Sequence, residues 1–136
     1  MAQLSTLGGI ARIVNKKYIR VVLLGAIVVL IAFSAFCWVS IVHMVRARHV
    51  ARDLDAVVEQ VYKQQPSIER SSEFVQKLHT INTDYASAEV KQALSDYTAA
   101  CEAGLAAWKA GSDRTPFEQK IREQSLRLKA ILKIYQ

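Results

Sequence analysis

The chain has 136 residues, 51% of them hydrophobic, and a formal net charge of +6. Setting aside a basic N-terminal tail and one apolar run leaves about 90 residues for a water-exposed domain, a size with little room for an enzyme cleft. The charge is unevenly divided, since residues 1–45 hold Arg12, Lys16, Lys17 and Arg20 with no acid; the excess lies beside the apolar run, where anionic headgroups attract it, and the absence of a basic face interleaved with aromatics argues against a nucleic-acid partner.

Residues 1–19 form a tail in which Leu4, Leu7, Ile10, Ile13 and Val14 recur at loosely helical spacing, interrupted by Gly8 and Gly9. Two readings stand here: a short interfacial helix lying on headgroups, or a partly disordered leader. The next segment dominates the sequence. Residues 21–45 carry no charged side chain, are bracketed by Arg20 and Arg46, and include 14 Val, Leu, Ile or Phe between positions 21 and 42. A helix of that length rises about 1.5 Å per residue and exceeds a hydrocarbon core of roughly 30 Å, so residues 20–45 are expected to form a single transmembrane helix. The run is too long for a signal-peptide core, for which about 7–15 residues suffice, and no small-residue cleavage site follows it. Phe36 before Cys37 is too bulky for a lipoprotein cleavage box.

Orientation rests on flanking charge. Arg12, Lys16, Lys17 and Arg20 precede the run, against Arg46, Arg48 and Arg52 after it. The balance points to a cytoplasmic N-terminus and an exported domain in a bacterial-type inner membrane. The cysteines pull the other way: Cys37 in the span and Cys101 in the domain cannot pair within one chain, and exported domains seldom keep a lone thiol. Within the run, Gly25 and Ala32 share a face seven residues apart and are the candidate positions for close helix packing in the membrane.

Beyond Arg46, Val50, Leu54, Val57 and Val61 form one apolar stripe, so the membrane helix is expected to continue into a domain spanning 46–136 until Pro66 stops it. Ser71 or Ser72 can cap a short second helix carrying Phe74, Leu78 and Ile81, and Asn82-Thr83-Asp84 reads as a turn. A third helix over 88–110 places Val90, Leu94, Tyr97, Cys101, Leu105 and Trp108 on one face, with Gly111 suited to a left-handed cap. Thr115-Pro116-Phe117-Glu118 has the form of a capping box, with Thr115 and Glu118 exchanging bonds and Pro116 at the first helical position. The fourth helix presents Phe117, Ile121, Leu128, Ile131 or Leu132, and Tyr135, and its last turns hold Arg127, Lys129 and Lys133, cations suited to a helix C-terminus and to headgroups. The fold class is therefore all-α: a single transmembrane helix continuing into a small antiparallel three- or four-helix bundle.

Candidate chemistry is sparse. His43 near the end of the run could ligate a haem or pigment, but at the membrane edge an imidazole simply reaches water. His79 with Cys101 and a carboxylate could make a nucleophilic site, yet Cys101 falls on an apolar stripe and reads as core. Asp53, Asp55 and Glu59 interleave with basic residues as a solvated face. No catalytic set, cofactor or metal is expected. Tyr85 and Tyr135, at helix ends, are the candidate partner contacts.

An anchor, a helical domain and no chemistry point to a non-catalytic accessory, scaffold or assembly subunit of a larger membrane complex. Its partners would be membrane lipid and either another integral membrane protein or further copies of itself. The alternative is a small membrane-anchored sensor whose helical domain binds a ligand or partner.

Overall fold

The computed structural model describes the backbone of residues 4–62 and 65–135 and the side chains of 16–61 and 65–135. Four helices account for the regular structure: α1 (Leu4–Tyr62), α2 (Ile68–Thr80), α3 (Ala88–Lys109) and α4 (Thr115–Ile134). There is no strand among the described residues. The chain divides into two compact units, Met1–Ser40 and Ile41–Gln136.

The first unit lies wholly within α1 from Leu4 onward. The side-chain placement of Leu4, Leu7, Ile10, Ile13 and Val14 falls outside the described residues. From Val21 to Val39 the large apolar side chains are exposed, including Leu24, Leu30, Phe33, Phe36 and Trp38, each by 62% or more. Such a surface is far larger than a soluble protein leaves bare, and α1 is long and apolar enough to cross a membrane. The Ser40 hydroxyl donates to the Phe36 carbonyl at 3.0 Å, so the last polar group of this unit is satisfied within the helix itself.

The second unit has one core. Val50 and Leu54 of α1, Phe74 and Leu78 of α2, Val90, Leu94, Tyr97 and Cys101 of α3, and Leu128, Ile131 and Leu132 of α4 are all buried in it. The stripes predicted for α1, α3 and α4 are the faces that pack, with Leu105, Ile121 and Tyr135 half-buried at its edge. α3 and α4 run antiparallel, as three pairs at descending levels show. Tyr135 donates from its hydroxyl to Ser87 Oγ at 3.3 Å, Arg127 meets Asp96 at 3.2 Å, and Ile121 lies against Gly104. α2 behaves differently. Phe74 meets Tyr97 edge to face with centroids 6.4 Å apart, while His79 meets Glu102 at 2.7 Å. The partners ascend together, so α2 is not an antiparallel neighbour of α3 but a short brace across it.

Helix ends follow local chemistry, with three departures from expectation. α2 is capped by Ser67, whose hydroxyl accepts from the Arg70 amide at 3.2 Å, not by Ser71 or Ser72. Ser67 is extended, at φ −139° and ψ 161°, which frees it to cap a helix that begins at once. Ile81 is the C-cap and not part of the helix. α3 is capped by Ser87, which accepts from the Val90 amide. It ends as predicted at Gly111, whose φ of +66° is left-handed. The Gly111 amide donates to Trp108 O and the Ser112 amide to Ala107 O, the paired bonds of a Schellman closure.

The capping box expected at Thr115 and Glu118 does not form. Asp113 Oδ1 instead accepts from both the Thr115 amide, at 3.0 Å, and the Thr115 hydroxyl, at 2.8 Å. Arg114 is already in the helical region, and its carbonyl accepts from the Glu118 amide. Asp113 holds the Thr115 amide that the Glu118 carboxylate would have reached, and the helix begins one residue before the box requires, so the Glu118 amide that Thr115 would have accepted goes to the Arg114 carbonyl. Glu118, released from that role, pairs with Arg114 at 3.0 Å.

Candidate functional site

At one end of the second unit lies a cleft of about 560 Å³, within the range of small-ligand sites. Its floor is apolar, with Phe74, Val75, Tyr97, Leu105 and Ile121, and Val61 contributes from the last turn of α1. Gly104 shapes it, because the missing Cβ lets Ile121 of α4 close against α3. The rim carries Arg70, Arg114 and Arg122 against a single carboxylate, Glu118. Arg70 donates to the Gln65 carbonyl at 2.8 Å. Arg114 stacks over Trp108 at 4.1 Å from the ring centre while holding Glu118, so these cations also close the connections on either side of the cleft.

The groups that could do covalent chemistry are engaged otherwise. Cys101 is buried at the cleft's inner wall, and burial pushes its thiol up to about 11, which leaves no useful thiolate at neutral pH. His79 turns to the exposed Glu102 carboxylate and not to Cys101. Glu73, exposed, is held below its ordinary value by the hydrogen bond and charge of Lys77 at 2.7 Å. Among the described residues, no group of three His, Cys, Asp or Glu is placed to hold a metal ion.

A second constellation occupies the opposite end of this unit. The His43 Nδ1–H donates to the Tyr85 carbonyl at 2.8 Å, since a carbonyl can only accept. The Arg48 Nε–H donates to the Tyr135 carbonyl at 3.2 Å. Tyr85 sits in a turn closed by the Ala86 amide on Thr83 O at 3.0 Å and braced by Asn82 Oδ1 on the Asp84 amide at 2.7 Å. Its φ is +60° at the third position of that turn, where glycine is the usual occupant, and its side chain is 69% exposed.

The predicted contact residues thus divide. Tyr85 projects outward, whereas Tyr135 is half-buried and uses its hydroxyl and carbonyl inside the unit. Gly25 has open space around it and Ala32 is exposed, both in the first unit. Sequence reasoning did not find the cleft, the arginines around it, or the His43–Tyr85 tie. No family model, curated protein or solved structure matches the chain.

Proposed function

We propose that the chain is a single-pass membrane protein whose second unit is a small helical bundle. That unit acts as a non-catalytic binding module, an accessory or scaffold subunit of a larger membrane complex. The observation that carries this reading is the cleft: an apolar floor with Arg70 and Arg114 held in structural bonds, and Arg122 beside them, suits recognition of a partner by shape and charge. The exposed apolar surface of α1 supports the anchor. The flanking charge supports a cytoplasmic N-terminus and an exported domain. Partners of this chemistry are membrane lipid and another integral protein or a further copy of the chain.

The test is crosslinking and co-purification of the full chain in mild detergent, compared with Ser125→Trp, which fills the cleft. The reading requires a reproducible larger species that the substitution depletes. A protein that runs as a lone monomer in both forms ends it.

One observation favours a sensor as the second reading. α1 is a single helix from Leu4 to Tyr62 and brings Val61 to the cleft wall, so occupancy of the cleft could bias the helix that carries the apolar segment. A small molecule that raises the melting temperature of the full chain, and whose effect Ser125→Trp removes, would select it.

A further inference from the structure

The ties of His43 to Tyr85, Arg48 to Tyr135 and Tyr135 to Ser87 gather three pieces of chain at one level of the second unit. These pieces are the start of its α1 segment, the 82–87 loop and the last turn of α4. What projects there is a mixture of apolar and basic groups, with the Asp84 carboxylate of the loop among them. Tyr85 is 69% and Ile134 75% exposed, Met44 and Val45, next to His43 in sequence, are exposed, and Lys133 is exposed with Arg46 half-buried. A tyrosine held in a left-handed turn costs about 1–2 kcal/mol that glycine would not. Such strain persists only where the surroundings impose it. Here His43 fixes the carbonyl, and the outcome is an aromatic ring presented outward.

We propose that this end of the unit rests on the phospholipid headgroup layer, with Tyr85 and Ile134 as interfacial anchors and His43 as the latch that holds the 82–87 loop against it. The proposal rests on the single-pass reading and sharpens it. Tyrosine is favoured where its ring meets the acyl boundary and its hydroxyl meets water, and basic side chains nearby reach phosphate. The polar turn also fixes the depth. Asn82 and Asp84 are exposed, and an exposed irregular backbone cannot enter hydrocarbon. A turn bonded to His43 therefore requires the hydrocarbon to end before His43, although the uncharged run continues to Val45. Residues 21–40 rise about 30 Å, enough for the hydrocarbon alone, and the second compact unit begins at Ile41. Residues 41–45 then lie among headgroups, not within the span.

The experiment places spin labels on the full chain in nanodiscs of phosphatidylcholine and phosphatidylglycerol, in a Cys37→Ala, Cys101→Ala background. The labelled variants are Tyr85→Cys, Ile134→Cys, Ala32→Cys and Ser112→Cys, the last in the turn at the far end of α3. Collision with oxygen and with a water-soluble nickel chelate reports depth. The proposal expects hydrocarbon values at 32, aqueous values at 112, and nickel collision at 85 and 134 reduced several-fold from 112. Aqueous values at 85 and 134 with hydrocarbon values at 32 overturn it and leave the anchor intact. Aqueous values at 32 as well would remove the single-pass reading on which it rests. Ile134→Cys alters an exposed position and carries the result if Tyr85→Cys disturbs its turn.

Discussion

Gly104 on α3 and Ile121 on α4 meet so closely that a Cβ added at Gly104 would lie 2.8 Å from Ile121 Cδ1 and 3.6 Å from Phe117 Cβ. The nearest atom is the end of a flexible side chain, so the contact can yield at a modest cost. Gly104→Ala gains about 1 kcal/mol of helix propensity and spends about 0.5–1.5 kcal/mol displacing that methyl group. Its stability should stay within about 1 kcal/mol of the parent. Gly104→Val adds two branches where only one methyl can be absorbed, and overpacking of this kind costs about 1–3 kcal/mol. Thermal melts of the full chain in detergent should show the valine variant well below the alanine variant. Equal melting temperatures would mean that α4 does not close on α3 here.

Tyr85 tests strain against contact. Tyr85→Gly releases the left-handed penalty of about 1–2 kcal/mol and gives back about 0.4–1 kcal/mol through the freer unfolded chain. The variant should therefore melt at or slightly above the parent in detergent. Tyr85→Val, β-branched at the same φ, should melt lower than either. His43→Ala removes the donor from the Tyr85 carbonyl, and faster amide exchange confined to 83–87 is its expected signature. Uniformly faster exchange across α3 would instead assign His43 a core role.

Much of the second unit was legible because local rules and long-range packing agreed. The spacing of Val90, Leu94, Tyr97 and Cys101 is the face that α3 buries, and Gly111 ends that helix as only a left-handed residue can. Legibility failed where two acceptors competed within a few residues. Ser67, Ser71 and Ser72 can all cap a helix, and Ser67 is the one whose extended backbone lets its hydroxyl reach the Arg70 amide. Asp113 took Thr115 from two residues away, and Glu118 turned to Arg114 instead. The cleft and the His43–Tyr85 tie were invisible for a different reason. One is assembled from side chains on all four helices, the other ends on a backbone carbonyl 42 residues away, and neither leaves a local pattern in residue types.

The start of α4 should be pH-sensitive through Asp113. The Thr115 amide, and then its hydroxyl, hold the Asp113 carboxyl below its ordinary value. A carboxyl depressed in the folded state contributes stability that is fully present above the unfolded aspartate value of about 3.9 and is lost as pH falls through the lower folded value. Asp113→Asn keeps an oxygen acceptor without the titration. Melting temperatures of parent and variant should therefore differ most near neutrality and converge in acid. A gap that is unchanged or wider in acid would show that the Thr115 bonds do not select the charged form.

Cys101 offers the sharpest contrast between a reactive and a packed thiol. It is 7% exposed, and burial raises it to about 11, with the neighbouring Glu102 charge adding to the rise and a Tyr97 hydrogen bond opposing it. Because the thiolate is the reactive form, a Cys37→Ala protein should resist maleimide at neutral pH while folded and react promptly in denaturant. Raising the pH toward the thiol's folded value should speed labelling less than denaturation does, because access remains closed after the charge appears. Cys101→Ala removes one sulfur from a site at the cleft wall and should cost about 1–2 kcal/mol, in line with the loss of a small buried apolar group. Rapid labelling of the native protein would place the thiol in the cleft as an accessible group and would reopen covalent chemistry there.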